Sequence, residues 1–202
     1  MSTEFSKLLN EKKLVLASSS PRRAELLRKA KVDFEIIFPE NIVEENISAD
    51  PVSHVMELSR KKAESVVEKA RNRLILGADT IVVLDGEILG KPRDKVDALR
   101  ILKMLSSKEH KVYTGITLLD EKSGKRVSGY QLTGVKFNQL KEKEIEDYIE
   151  TGEPLDKAGA YGIQGMGNFL VEKIEGDLDN VIGLPVRKLK ELLIKISSRG
   201  EG

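Results

Sequence analysis

The sequence has no cysteine among its 202 residues, which excludes a disulfide-stabilised scaffold, a zinc–thiolate site and a thiol nucleophile. Histidine is scarce as well. His54 and His110 are isolated and neither is followed by Asp, which excludes a metal phosphohydrolase of the His–Asp type. The chain also lacks a G-x-S-x-G segment, the turn that presents a serine nucleophile in α/β hydrolases. If the protein has a catalytic base, that base is therefore a carboxylate or a lysine.

The chain has no excess of charge of either sign, since 34 Lys and Arg against 33 Asp and Glu leave a net charge of +1. A general binder of nucleic acids or of membrane surfaces would carry a basic excess, so we expect neither as a partner. The N-terminal segment lacks the apolar core of a signal peptide, and no apolar run approaches the length that spans a bilayer. We therefore expect a cytoplasmic protein.

The apolar pattern predicts a fold of the α/β class. Strands are predicted at about 13–17, 33–38 and 74–84, on both sides of the turn EKSGK and at NFLVEKI. Helices are predicted near 21–30, 53–71 and 94–106, in a segment that Gly152 ends, and in a last segment with Pro185 as its first residue. Because strands and helices interleave with one evident hairpin, we predict a mixed sheet covered by helices. One domain is expected over residues 1–202, with a core at about 12–196 and a disordered tail at 197–202.

The segment ASSSPRRAELL, residues 17–27, joins a predicted strand to a predicted helix. Its polar side chains are Ser18, Ser19, Ser20, Arg22 and Arg23, and Pro21 suits the first helical position with Ser20 as the cap. Hydroxyl groups, guanidinium groups and the unpaired N–H groups of a helix start make a plausible cradle for phosphate or carboxylate. A capped helix with arginines in solvent explains the same residues, and the segment alone leaves both interpretations open.

Asp79 and Thr80 interrupt the otherwise apolar strand LILGADTIVVL. A buried carboxylate costs free energy unless it is paired or bound to a metal ion. A functional carboxylate is therefore favoured over a structural one that caps a strand bend.

The segment DGEILGKP, residues 85–92, is not a phosphate-binding P-loop, because only three residues separate its glycines and Pro92 follows Lys91. It predicts a hairpin turn at Asp85–Gly86 and an extended conformation for Lys91, which precedes a proline. Taken alone, Lys91 is either a phosphate ligand or, as is commoner for lysines, a surface cation.

The segment AGAYGIQGMGN, residues 158–168, contains four glycines but not the dinucleotide fingerprint, because Leu170 stands where the third glycine would be. Such density indicates a backbone held close to a ligand, with Gln164 offering both a donor and acceptors, or else a loop without function. Two further charged pairs, Glu44–Glu45 and Lys61–Lys62, are solvated faces when taken alone.

These segments, in this order, resemble the Maf-like nucleoside triphosphate pyrophosphatases. The resemblance runs from about residue 13 to residue 192 and rests on LASSSPRRAELL, GADTIVVLDGEILGKP, YIETGEPLDKAGAYGIQG and NVIGLP. Within the family, ADT, KP and DKAGAYGIQG resemble the branch that acts on dTTP and UTP. The resemblance implies an elongated, twisted, mixed sheet flanked by helices, with two lobes around a nucleotide cleft, as in inosine triphosphate pyrophosphatases.

The resemblance also implies hydrolysis of dTTP and UTP to the monophosphate and pyrophosphate with a divalent metal ion, Mg or Mn; modified pyrimidine triphosphates are further candidate substrates. The implied site comprises Asp79 as catalytic carboxylate, Glu45 and Asp79 at the metal, Ser18, Arg22, Arg23, Lys62 and Lys91 on the substrate, and Arg22, Thr80 and Gln164 for base specificity. Cations around the phosphates and a metal that absorbs charge on the leaving pyrophosphate suit this chemistry.

Two other functions remain as alternatives. A nucleotide-sensing regulator, suggested by the association of the family with septum formation, would bind in the same pocket without turnover; the intact Asp79 favours the enzyme. A 7-methyl-GTP pyrophosphatase is disfavoured by Thr80 and Gln164. A homodimer is expected from the resemblance alone.

Overall fold

The computed structural model describes residues 4–10, 12–42 and 48–198. Its helices are α1 (Glu4–Leu9), α2 (Pro21–Lys29), α3 (Pro51–Glu64), α4 (Lys95–Leu105), α5 (Glu142–Glu150), α6 (Leu178–Ile182) and α7 (Val186–Ser197). Its strands are β1 (Leu14–Ala17), β2 (Phe34–Ile37), β3 (Leu74–Leu84), β4 (Glu87–Leu89), β5 (Glu109–Asp120), β6 (Arg126–Phe137) and β7 (Val171–Glu175). Short 3₁₀ helices lie at Val67–Lys69, Glu153–Asp156, Ala158–Ala160 and Gly165–Leu170.

The strands of the described residues form one open, mixed sheet of seven strands in the order β2-β1-β3-β5-β6-β7, with β4 paired to β3 beside this path. Strand β1 pairs in parallel with β2 and β3, whereas β4 and β7 are antiparallel to β3 and β6. A parallel pair needs a crossover connection, which α2 supplies between β1 and β2. The prediction of a mixed sheet flanked by helices is confirmed.

Tertiary contacts group the chain into two compact units, and the predicted single domain stays a prediction. The first unit comprises the described residues up to Asp79, residues 114–131 and those from Gly183 onward. Within it, Gly77 and Gly115 allow α3 to pack closely on the sheet. A Cβ atom at Gly77 would lie 2.1 Å from the Ser59 carbonyl oxygen, and one at Gly115 would lie 2.3 Å from that of Val55. This close approach brings α3 against the strand that carries Asp79.

The second unit comprises residues 80–113 and 132–182. Its core joins buried side chains of α4 and α5 to Phe137, Tyr161 and Leu170. The rings of His110, Phe137 and Tyr161 meet edge to face, with centroids 4.7–5.4 Å apart. The glycine-rich segment 158–168 therefore belongs to a packed part of the protein rather than to a loose loop.

Two local predictions are confirmed, the start of α2 and the hairpin turn after β3. Pro21 begins α2, and the predicted turn at Asp85–Gly86 has positive φ at both residues, 51° and 88°, as a type I′ hairpin requires. None of the described helices combines the length and the apolar character needed to cross a membrane.

Several predicted boundaries were wrong. The helix predicted at 53–71 ends at Glu64, where the Ser65 hydroxyl donates to the Lys62 carbonyl oxygen and Val66 turns into the core. Part of the predicted strand NFLVEKI is a 3₁₀ helix, and the strand begins at Val171. Of the predicted tail, Ser197 lies in α7 and Ser198 caps it, while residues 199–202 lie outside the described residues.

Candidate functional site

Lys62 and Asp79 form an ion pair in the first unit. The Lys62 Nζ atom lies 2.5 Å from Asp79 Oδ1, and the two side chains are only 15% and 9% exposed. Lys62 belongs to the last turn of α3 and Asp79 to the middle of β3, and the packing of α3 over Gly77 allows them to meet. The sequence predicted both residues in the site, and the structure brings them together.

The second carboxylate oxygen of Asp79 accepts no hydrogen bond from the described residues. Oδ2 is buried, and no donor among the described residues reaches it. A buried charged acceptor without a donor costs free energy, because it has lost its hydrogen bonds to water. The oxygen is therefore suited to a ligand that supplies a proton donor or a positive charge, such as a water molecule or a hard divalent cation.

The predicted second metal ligand cannot be placed beside it, because Glu45, like Glu44, lies outside the described residues. Within residues 4–10, 12–42 and 48–198, no group of three or more His, Cys, Asp or Glu side chains is arranged to hold a metal ion. Asp79 is thus the predicted metal ligand that the structure describes.

Ser18 and Arg23 organise the turn between β1 and α2. The Ser18 hydroxyl oxygen accepts hydrogen bonds from the Ser20 N–H and from Arg23 Nη1, both at 3.1 Å. Arg23 Nε donates to the Gly183 carbonyl oxygen at 2.8 Å. Ser20 is the N-cap residue, as predicted, although its side chain makes no capping bond. Ser18 and Arg23 are both buried, so this turn is a fixed structure.

The two adjacent arginines have different surroundings. Burial lowers the pKa of the Arg23 guanidinium, the Asp79 carboxylate opposes that effect, and the charge of Arg22 adds to it. Arg22 is only partly buried. Arg22 and Arg23 lie in the first turn of α2, where the helix dipole also favours an anion.

Three predicted residues belong to the second unit. Thr80 follows Asp79 on β3 and is partly buried, whereas Lys91 is exposed in the irregular segment after β4. Gln164 is partly buried and extended, directly before the 3₁₀ helix Gly165–Leu170. The Gly159 N–H donates to the Gly90 carbonyl oxygen at 3.0 Å, so the segment with Lys91 contacts the glycine-rich segment.

Sequence reasoning missed three residues that hold these elements. Gly183 supplies the carbonyl acceptor for Arg23, and Tyr148 and Glu153 bind the backbone around Gln164. All three lie in two segments that carry the family resemblance, NVIGLP and YIETGEP, but their hydrogen bonds reach residues that no local pattern connects to them.

Comparison with known proteins identifies relatives over nearly the whole chain. A family model described as "Maf-like protein" matches residues 13–196. A dTTP/UTP pyrophosphatase of Dictyoglomus turgidum is 48% identical over 184 residues, covering 90% of this chain and 95% of the relative. A protein of the same name from a Thermoanaerobacter species is 50% identical over 182 residues, with coverages of 90% and 95%. Another, from Bacillus cytotoxicus, is 49% identical over 189 residues, with coverages of 93% and 97%.

Proposed function

The chain belongs to the family of Maf-like proteins, and we propose that it hydrolyses dTTP and UTP to the nucleoside monophosphate and pyrophosphate. Relatives at 48–50% identity are named for this activity. One structural observation carries the proposal: Lys62 holds one oxygen of a buried Asp79, and the other oxygen has no donor among the described residues.

The reaction breaks the anhydride bond between the α- and β-phosphates and consumes one water molecule. In the proposed mechanism, Asp79 Oδ2 orients that water and accepts its proton. Lys62 supports this role because its contact with Oδ1 restricts the carboxylate to one orientation. The proton acceptor is thus preorganised, which lowers the entropic cost of reaching the transition state.

We also propose that turnover requires a divalent cation, Mg²⁺ or Mn²⁺, held by Asp79 and by the predicted Glu45. The open, buried oxygen of Asp79 fits a hard cation, which prefers oxygen ligands. When bound, such an ion offsets the negative charge that develops on the leaving pyrophosphate.

The substrate carries three to four negative charges, and the cations of the site are proposed to bind them. Ser18, Arg22 and Lys62 are proposed to contact phosphate beside the start of α2. Arg23 already donates to Ser18 and Gly183, which supports a role in holding the Ser18 hydroxyl in place. From the resemblance alone, Lys91 is proposed as a further phosphate ligand, and Arg22, Thr80 and Gln164 as determinants of base specificity.

Pyrophosphate release across a panel of triphosphates, each with Mg²⁺ or Mn²⁺, tests the proposal. We expect turnover of dTTP and UTP, and little turnover of ATP, GTP, CTP or 7-methyl-GTP. Tight binding of dTTP without any release of pyrophosphate would support the nucleotide sensor instead. Preferential turnover of 7-methyl-GTP would show that the chain is a 7-methyl-GTP pyrophosphatase.

Asp79 has one open oxygen for two proposed roles, metal ligand and proton acceptor, and Mn²⁺ binding separates them. If Asp79→Asn binds Mn²⁺ as the parent protein does but does not release pyrophosphate, the carboxylate serves as proton acceptor. If Mn²⁺ binding is lost, the carboxylate is a metal ligand. A cytoplasmic location stays a prediction from the sequence, and a homodimer stays a prediction from the family resemblance alone.

A further inference from the structure

We infer that Tyr148 and Glu153 are positioning residues for base specificity, because together they bind the backbone on both sides of Gln164. The inference rests on the proposed function, which gives Gln164 the contact with the base. Neither side chain needs to touch the substrate for this role. Each acts through the backbone that presents Gln164.

The first contact comes from Tyr148, which is 2% exposed in α5. Its hydroxyl oxygen accepts a hydrogen bond from the Gly162 N–H at 3.0 Å. The single hydroxyl proton is donated to Glu153 Oε1, also at 3.0 Å. The phenol therefore links the glycine-rich segment to the carboxylate of Glu153.

The second contact comes from the other oxygen of that carboxylate. Glu153 Oε2 accepts a hydrogen bond from the Met166 N–H at 3.1 Å. The two anchored amides, of Gly162 and Met166, are each two residues from Gln164. The three-residue stretch that contains Gln164 is therefore hydrogen-bonded to the Tyr148–Glu153 pair on both sides.

Glycines allow the segment to press against this pair. A Cβ atom at Gly167 would lie 2.7 Å from the Tyr148 hydroxyl and 2.3 Å from the Gly162 carbonyl oxygen. Gly165 has φ +78°, and a Cβ atom there would lie 3.2 Å from Glu153 Oε2. Gly165 and Gly167 thus allow the segment to lie directly against Glu153 and Tyr148.

Neighbouring residues in the sequence hold Tyr148 and Glu153 in place through further hydrogen bonds. The Thr151 hydroxyl donates to the Tyr148 carbonyl oxygen at 2.6 Å and accepts from the Glu153 N–H at 3.1 Å. Lys157 Nζ donates to the Glu153 carbonyl oxygen at 2.6 Å. The residues that hold the Gln164 segment therefore lie between α5 and Lys157, and all of them belong to the second unit.

A fixed Gln164 can read the edge of a pyrimidine base. In one orientation its carboxamide places a donor and an acceptor opposite the carbonyl and the N–H of uracil or thymine, and the flipped orientation would suit cytosine instead. Cytosine presents an amino group and a bare ring nitrogen at the same positions. A site that holds its hydrogen-bonding groups in a fixed geometry discriminates between bases more strongly than a site whose groups can move to fit either base.

The test compares Tyr148→Phe with Tyr130→Phe, the same change at a tyrosine that is 42% exposed. In Tyr148→Phe we expect KM for UTP to rise on the order of tenfold, with a smaller change in kcat. The preference for UTP over CTP should fall by a similar factor, while Tyr130→Phe keeps the parent values. Glu153→Gln, at a partly exposed position, is a second variant in case Tyr148→Phe folds poorly.

Hydrogen exchange gives a readout that does not depend on activity. We expect the amides of Gly162 and Met166 to exchange faster in Tyr148→Phe and Glu153→Gln than in the parent. Equal loss of turnover on UTP and CTP, or unchanged exchange in both variants, would overturn the inference. If the parent protein hydrolysed no triphosphate, the proposed function would fail, and exchange would still decide whether the pair holds the segment.

Discussion

Lys62 Nζ lies 2.5 Å from Asp79 Oδ1, although Asp79 is 17 positions further along the chain. The contact joins the end of a helix to the middle of a buried strand, and Gly77 permits it by letting the helix approach. The Lys62 ammonium group pairs with Oδ1 of Asp79, and no donor among the described residues reaches Oδ2. The same two side chains thus form a buried ion pair and include the proposed proton acceptor.

Asp79→Asn separates a catalytic carboxylate from a structural one. The amide keeps the volume of the side chain but removes the charge that accepts a proton or binds a metal ion. We expect dTTP to bind, and pyrophosphate release to fall on the order of a hundredfold or more. Asp147→Asn, at an exposed position on α5, is the matched control and should keep full turnover. Near-normal turnover in well-folded Asp79→Asn would transfer the chemistry to Glu45 or another acid.

Lys62→Met tests the ion pair through stability. Removing one partner leaves a buried charge uncompensated, which costs about 3 kcal/mol of unfolding free energy. The double variant Lys62→Met/Asp79→Asn should recover part of that loss, and urea unfolding of the four proteins gives the coupling. Lys61→Met is the control, since Lys61 pairs with Glu57 at 30% and 36% exposure; it should cost less than about 1 kcal/mol. Additive losses would contradict the pairing.

Arg22→Ala and Lys91→Ala are expected to weaken dTTP binding and leave the melting temperature nearly unchanged, because neither residue is buried. Arg23→Ala should instead lower stability by about 2 kcal/mol, since the buried hydrogen bond from Arg23 to the Gly183 carbonyl oxygen is lost. Calorimetric titration of dTTP and thermal unfolding measure the two effects, with exposed Arg71→Ala as the control. Unchanged nucleotide affinity in both Arg22→Ala and Lys91→Ala would disprove the phosphate assignment.

Removal of divalent cations is expected to stop turnover. Dialysis against excess chelator should abolish pyrophosphate release from dTTP, and Mg²⁺ or Mn²⁺ should restore it, because hard oxygen ligands suit these ions. The sequence has no cysteine for a zinc–thiolate site, so we expect no requirement for zinc. Full activity in excess chelator would refute the metal requirement.

His110 predicts a pH dependence of stability that is separate from catalysis. Burial lowers the pKa of His110 from 6.5 to about 4, and its Nε2 atom lies 2.8 Å from the Tyr161 hydroxyl. Below pH 6.5, His110 takes up a proton in the unfolded chain but stays neutral in the folded protein until the pH nears 4. The free energy of unfolding is therefore highest above pH 6.5, and it falls by on the order of 3 kcal/mol as the pH drops towards 4.

His110→Gln tests this dependence, because a carboxamide can still bond the Tyr161 hydroxyl but does not titrate. Urea unfolding between pH 7 and pH 4 should show a steeper loss of stability in the parent protein than in the variant. Identical slopes would mean that His110 does not contribute.

Local patterns by themselves determined much of the fold and the family. Pro21 after three serines sets the start of α2, and Asp85–Gly86 sets the hairpin turn, because both depend on the φ angles of one or two residues. The order of the four motifs also pointed to the family that the comparisons show. The same patterns misplaced the end of α3 and the start of β7, where packing decides between continuing and breaking an element.

Only the tertiary structure distinguished residues of the same type. Arg22 and Arg23 are adjacent and identical in chemistry, yet Arg23 is buried by a contact with Gly183, 160 residues away. Lys61 and Lys62 differ in the same way, since only the orientation of α3 over Gly77 directs Lys62 to Asp79. Tyr148 and Glu153 acquire their role through amides of a later segment. Contacts between residues distant in the chain leave no period or spacing in the sequence, so only the folded arrangement of helices and strands determines them.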